Sequence, residues 1–307
     1  MSAVIAHALF AARVLARARQ TGVTVYDAEA ARIGAQGPDM LYFHRVFPWE
    51  PGRSYARQGL ELHKGHPSVL LASFARTLHA APSAERRAMR GYIQGFLCHH
   101  ALDSVIHPFV LARQEVLAAE QPRYSPRINQ YHHRIESALD TLTLRRETGR
   151  RVETVRLDML VPSADPVRDR AIAKLYVPPL TALTGAKASV DNLAHAPADM
   201  RQAMWWMTDR YGVRRQVFRP LETVVRQGPF LSALLRLADV SDWDYANTAH
   251  AAWRHPFDGT VSNDDYFTLY EQAVTLAVRR LAAWEAGTPL TAVAGDLDFS
   301  GETMSRI

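Results

Sequence analysis

Four side chains able to bind a metal or move a proton fall within the stretch "GFLCHHALDSVIHPFV", residues 95–110: His99, His100, Asp103 and His107. Residues four apart on a helix share a face. His99, Asp103 and His107 therefore stack on successive turns, with His100 beside them. Such groups are costly to bury without partners, yet the surrounding residues are apolar. Pro108 disfavours helical geometry at His107, so the helix is expected to end or kink there and to turn His107 toward a different centre. A second array occurs in "YHHRIESALD", where His132 lies four residues and His133 three residues before Glu136. Two helices that each present imidazole and carboxylate at helical spacing are what a metal cluster inside a helical bundle requires. Imidazole and carboxylate without thiolate favour zinc or a similar divalent ion over an iron–sulfur centre. A His/Asp-rich site also leaves room for water, which suits catalysis better than a purely structural role.

These residues need helices to position them, and the chain reads as helices joined by Gly/Pro-marked loops. Apolar residues at Val4, Ala8, Ala11, Ala12 and Leu15 predict a helix over 3–20. "DAEAARIG" (27–34) has an acidic start and a glycine stop. "GAQGPDM" then breaks the pattern, so Asp39 is expected in a loop or at a helix start. Further helices are predicted at 52–63, 67–80, 84–107 with Ser83 as N-cap, and 128–148. In the second half they are predicted near 166–184, 195–212, 214–226, 229–237 and 264–286. Only "RRVETVRLDMLV" (150–161) hints at extended chain. The class is all-α, a multi-helix bundle read as a single domain over 1–307. Its one plausible division is at 150–165, between metal-site helices in 1–150 and a helical extension in 165–307.

Bulk properties narrow the function classes. Apolar residues make up 48% and charged residues 22% of the 307, the profile of a globular protein with a large core. No run of eighteen apolar residues exists, so no transmembrane segment is expected. The N-terminal stretch has no basic region before its apolar part and carries His7 within it. It reads as an amphipathic helix starting at Ser2 rather than a signal peptide. With a single cysteine, Cys98, no intramolecular disulfide can form, and a reducing cytoplasm is the expected compartment. The net charge of +5 is mainly arginine, scattered without a block of like charge. No stable nucleic-acid partner is expected from it. His44, His66, His79, His195 and His255 stand alone and are read as packing or surface residues.

Several segments in order, "AHALFAARVL", "IGAQGPDMLYF", "LHKG", "GFLCHHALDSVIHPFV" and "HHRIESALD", resemble the bacterial zinc-dependent phospholipase C family. That family has the all-α fold of P1-type nucleases. The similarity continues in "DYANTAHAAWRHPFDGTVSNDDYFTLYEQAV" and "GDLDFSGETM", while 150–235 carries no matching motif. The resemblance implies two or three zinc ions. His63, His99 and Asp103 would hold one, with Asp39 beside it as ligand, general base or both. His107, His132 and Glu136 would hold a second. His7 would hold a third, bridged by Asp103 and completed by a free amino terminus, here the amine of Ser2 after loss of Met1. The family pattern selects His63 over His66, His132 over His133 and His99 over His100, and leaves His100 a supporting residue. Asn129 and Asp140 are candidate partners for the ligands. The C-terminal match leaves Asn247 and His250 without an assigned role.

The implied activity is metal-assisted hydrolysis of a phosphodiester, with a small phosphodiester or phospholipid head group as substrate. The membrane-binding β-sandwich of some toxin members has no counterpart here, which weakens the case for membrane phospholipid. The alternatives are a P1-type nuclease or nucleotidase using the same cluster, or a non-catalytic helical protein with a structural metal site. A nuclease would need aromatics near the cleft to stack a base, and Trp49, Tyr42, Phe43, Trp205 and Trp206 are the candidates.

Overall fold

The computed structural model describes residues 3–304, apart from 48, 123, 126, 186 and all but three positions of 210–234. Helix α1 (Val4–Gln20) buries a stripe formed by His7, Ala11, Val14 and Ala18. This spacing is the reason the segment is helical, and it carries His7 inward with the apolar residues. The carboxylate of Asp27 caps α2 (Ala28–Gly34) by accepting from the amide of Ala30. A 3-10 turn over Gly37–Phe43 follows, with Asp39 in its first turn. Then come α3 (Ala56–Lys64), α4 (Pro67–Ala80), α5 (Ser83–Glu120) and α6 (Ile128–Thr148). After two 3-10 turns the chain continues through α7 (Pro166–Thr184), α8 (Val190–Leu193) and α9 (Ala196–Met207). A short antiparallel pair, β1 (Trp253–Arg254) with β2 (Val261–Ser262), aligns Trp253 with Ser262. Helices α10 (Tyr266–Glu285) and α11 (Leu290–Ala294) end the described elements. The class is all-α.

The 38-residue α5 is the axis of the bundle. Helices α2, α6, α7 and α10 pack against it, and α1 bridges α5, α6 and α10. The approach of α2 to α5 is unusually close. A Cβ at Gly34 would sit 2.0 Å from the Tyr92 carbonyl oxygen, and one at Gly95 2.0 Å from that of Ala31. Only glycine on each face permits this contact, and it fixes where the chain leaves α2 toward Asp39. The buried apolar cluster runs from Val4 to Phe299 and includes residues on both sides of 150–165.

Several expectations need correction. Pro108 does not end α5, which runs on to Glu120. A proline inside a helix costs about 3 kcal/mol. Beyond it, Phe109, Val110 and Leu117 are fully buried, and burial of each side chain returns about 1.5–3 kcal/mol, so continuation wins. Pro82, not Ser83, occupies the N-cap of α5, and no side chain caps it. The segment 150–161 forms 3-10 turns at Val152–Thr154 and Leu157–Leu160 rather than a strand. The short strands and α8 and α11 were not anticipated. The helices predicted at 214–226 and 229–237 lie mostly outside the described residues, as does the end of the one at 195–212.

Candidate metal centre

Helix α5 delivers His99, Asp103 and His107 from one face. His99 is fully buried, with Nε2 3.2 Å from Oδ2 of Asp103. Helix α1 brings Nε2 of His7 to 3.0 Å from Oδ1 of the same carboxylate. The 3-10 turn and α3 bring Asp39 and His63 together, Oδ1 to Nε2 at 2.8 Å. Helix α6 contributes His132 and Glu136, Nε2 to Oε1 at 3.3 Å, while His107 Nε2 stands 3.8 Å from Glu136 and 3.9 Å from Asp103. The eight residues singled out in the sequence thus converge. Three groups have donor atoms within 4.8 Å of one another: His7, His99 and Asp103; Asp39, His63 and His99; and His107, His132 and Glu136. Met1 and Ser2 lie outside the described residues, and the expectation for the Ser2 amine with them.

The rings are oriented from behind. Nδ1 of His99 faces the Ala35 carbonyl at 3.2 Å, and Nδ1 of His107 the Phe299 carbonyl at 2.5 Å. Nδ1 of His132 faces Oε1 of Gln114 at 3.2 Å, and Nδ1 of His63 the Gly59 carbonyl at 3.0 Å. These oxygens only accept, so a proton on each Nδ1 satisfies them and Nε2 is the nitrogen turned toward the centre, which in His107 is free only once the proton held by Asp103 and Glu136 is lost. His100 has the opposite arrangement. Its Nδ1 accepts from Arg280 at 3.1 Å and its Nε2 donates to the Leu297 carbonyl at 3.0 Å, which leaves no lone pair for a metal. Three desolvated imidazole nitrogens, Nδ1 of His7, Nε2 of His99 and Nδ1 of His133, have no hydrogen-bond partner. Burying such atoms unmatched costs about 1–3 kcal/mol each, and Nε2 of His99 lies where a cation would satisfy it.

Charge is arranged to match. Burial opposes an ionised carboxylate at Asp103, but His99, His107 and His7 together hold it far below the usual carboxylate range. Burial likewise opposes ionisation of Asp39, and the adjacent His63 brings it down to about 2. Burial works against protonation of His107, yet Asp103 and Glu136 hold it up at about 9. Burial, helped by the neighbouring His7 and His63, drives His99 down to about 4 against the pull of Asp103. The site is therefore a set of ionised carboxylates balanced by imidazoles, of which His107 and His7 are both shifted toward their protonated forms.

A cavity of about 190 Å³ opens beside these groups, lined by Asp39, Tyr42, His63, Asp103, His107, Leu111, His132, Glu136, Phe299 and Ser300. Among the described residues no lysine or arginine lines it. Of the aromatics considered for stacking, only Tyr42 lines it. Phe43 is buried elsewhere, and Trp49, Trp205 and Trp206 are exposed away from it. The Tyr42 hydroxyl stands 2.9 Å from Nδ1 of His63, and burial with the nearby carboxylates raises its pKa, so it remains a neutral donor. Asn129 is exposed. The carboxylate of Asp140 accepts from the Ala6 amide at 2.7 Å, which steadies the turn bearing His7 without touching a ring. The actual ring partners are Gln114 and three backbone carbonyls.

Other single histidines are structural. His66 caps α4 by accepting from the Ser68 amide, and His44 links the Asn192 carbonyl to the Tyr55 amide. Asn247 and His250 belong to the loop before β1, where both have positive φ and Asn247 donates to the Ala251 carbonyl. Comparison with family models, curated proteins and solved structures returned no significant match.

Proposed function

We propose that the protein is a metal-dependent phosphodiester hydrolase, phospholipase C-like in type, with a zinc cluster of two or three ions. One observation carries this reading. Four imidazoles are tied back through Nδ1 and turn Nε2 toward three ionised carboxylates, and three of the four, His63, His107 and His132, line the cavity. Nitrogen-rich donor sets of this kind suit zinc. Asp39, His63, His99 and Asp103 would hold one ion and His107, His132 and Glu136 a second, with His7 beside Asp103 serving a third. Ions held there supply Lewis acidity toward a phosphoryl oxygen and lower the pKa of water at the site.

The chain's own groups then have defined tasks. Asp39, held near 2 by His63, is better suited to ligation and to accepting a hydrogen bond than to storing a proton. Tyr42 donates from the cavity wall toward a phosphoryl or leaving oxygen. Among the described residues no lysine or arginine lines the wall, so of these groups it is the ions that would meet substrate charge. Openness of the cavity favours catalysis over a structural metal site.

The test is elemental analysis of the purified protein together with a panel of phosphodiesters, including a phospholipid and an oligonucleotide, with and without chelator. Two or three zinc ions per chain and chelator-sensitive cleavage are expected. A protein without metal that tolerates chelation unchanged overturns the proposal, and cleavage confined to the oligonucleotide replaces the lipase-like reading with the nuclease one.

A further inference from the structure

The loop of residues 296–304 closes on itself. Leu297 pairs with Thr303, the Met304 amide donates to the Asp296 carbonyl, and Oδ1 of Asp298 accepts from the amides of Ser300 and Glu302, each at 2.8 Å. Its tip is driven into the bundle. Phe299 is fully buried, with its ring 4.8 Å from that of His63, 5.1 Å from His100 and 5.7 Å from His99. Behind the tip, Gly301 (φ +80°) rests on α5 so closely that a Cβ there would lie 2.5 Å from Cγ of Pro108 and 2.6 Å from the Ser104 carbonyl oxygen. Pro108 has no N–H to give that carbonyl, so the loop seats where the helix ladder is already open. The loop is held from the other side by the buried Arg280, which donates to the Ala294 carbonyl and to His100, which in turn donates to Leu297.

We propose that this loop is a positioning latch for the second metal centre, in which the Phe299 carbonyl sets the tautomer and direction of His107. The inference rests on the metal-centre reading above. It gives a specific role to Gly301 and Asp298, neither of which touches a candidate ligand. The latch acts through the backbone, so it is the position of the Phe299 carbonyl and not its ring that orients His107.

The test compares G301A, E302A and D298A by zinc–chelator competition, with folding checked by circular dichroism. G301A displaces the tip and is expected to weaken one zinc site about 10–100-fold, the usual cost of removing a partner behind a ligand, while the remaining zinc is retained. E302A changes an exposed side chain of the same loop, keeps the backbone bonds, and is expected to bind zinc as the wild type does. If G301A does not fold, D298A, which only loosens the loop, is expected to weaken the same site. Wild-type affinity in G301A, or in D298A where that variant stands in, overturns the latch. An equal loss in E302A also overturns it, because a change that leaves the backbone bonds of the loop in place would then matter as much as displacing its tip. A wild-type protein that binds no zinc defeats the metal-centre reading itself, which is a distinct outcome.

Discussion

Nε2 of His7, on the first helix, lies 3.0 Å from Oδ1 of Asp103, whose other oxygen faces His99. One carboxylate thus joins two groups of donors from helices far apart in sequence. Changing Asp103 to Asn removes that shared charge. Metal content is expected to fall to the ion held by His107, His132 and Glu136, with cleavage lost. Full zinc content in D103N by elemental analysis would show that Asp103 is not the shared ligand.

Asp39 touches His63 alone among the rings at hydrogen-bond distance. Replacing it with Asn keeps the shape and removes the charge. D39N is expected to lower kcat by about 10²–10⁴-fold, the range for a group that assists proton transfer or orients water, while the second centre keeps its ion. Steady-state kinetics beside metal analysis of the same preparation decides it.

Adjacent histidines on α6 give a sharp contrast. His132 is braced by Gln114 and lies 3.3 Å from Glu136, whereas Nδ1 of His133 is 3.5 Å away and belongs to none of the donor groups. H132A is expected to lose one zinc ion and H133A to keep all of them. Equal losses in the two variants would undo the choice between them.

The metal-free protein should respond to pH in two directions. His107 is raised to about 9 against an ordinary 6.5, so its protonation stabilises the fold fully below 6.5, and that contribution is lost as pH rises toward 9. His99, lowered to about 4, binds its proton more weakly when folded, so stability falls as pH drops from 6.5 toward 4. Chelator-treated protein is expected to be most stable near pH 6.5. Zinc must displace the His107 proton, so zinc affinity is expected to rise between pH 6.5 and 9, and H107N should flatten that rise. Denaturant titrations and zinc competition across the range measure both effects.

Gly95 has no room for a methyl group against α2. G95A is expected to cost about 1–3 kcal/mol, as overpacking does, and to weaken metal binding by shifting the turn that bears Asp39. Denaturant unfolding that matches the wild type would show that the two helices can separate without penalty.

The helical class and most helix positions were legible because apolar residues recur at helical spacing. Local spacing likewise exposed His99–Asp103–His107 and His132–Glu136. The links between centres were not local. His63 and Asp39 are joined by a loop, and Phe299 meets His107 across 192 positions, so no periodicity could connect them. Gln114 had a signal that was masked. It lies seven residues after His107, on the same face of α5, and treating Pro108 as the helix end hid that continuation. The opposite tautomers of His99 and His100 depend on Ala35, Arg280 and Leu297, which adjacent positions in a sequence do not reveal.

The long reach from Phe299 to His107 also sets a timetable. During synthesis, at about 5–20 residues per second, every proposed ligand from His7 to Glu136 emerges well before the residue that orients His107. A nascent chain that has not reached position 299 holds the donors without the latch, so on the proposed reading the second centre gains its orienting carbonyl only after all of its ligands have been made.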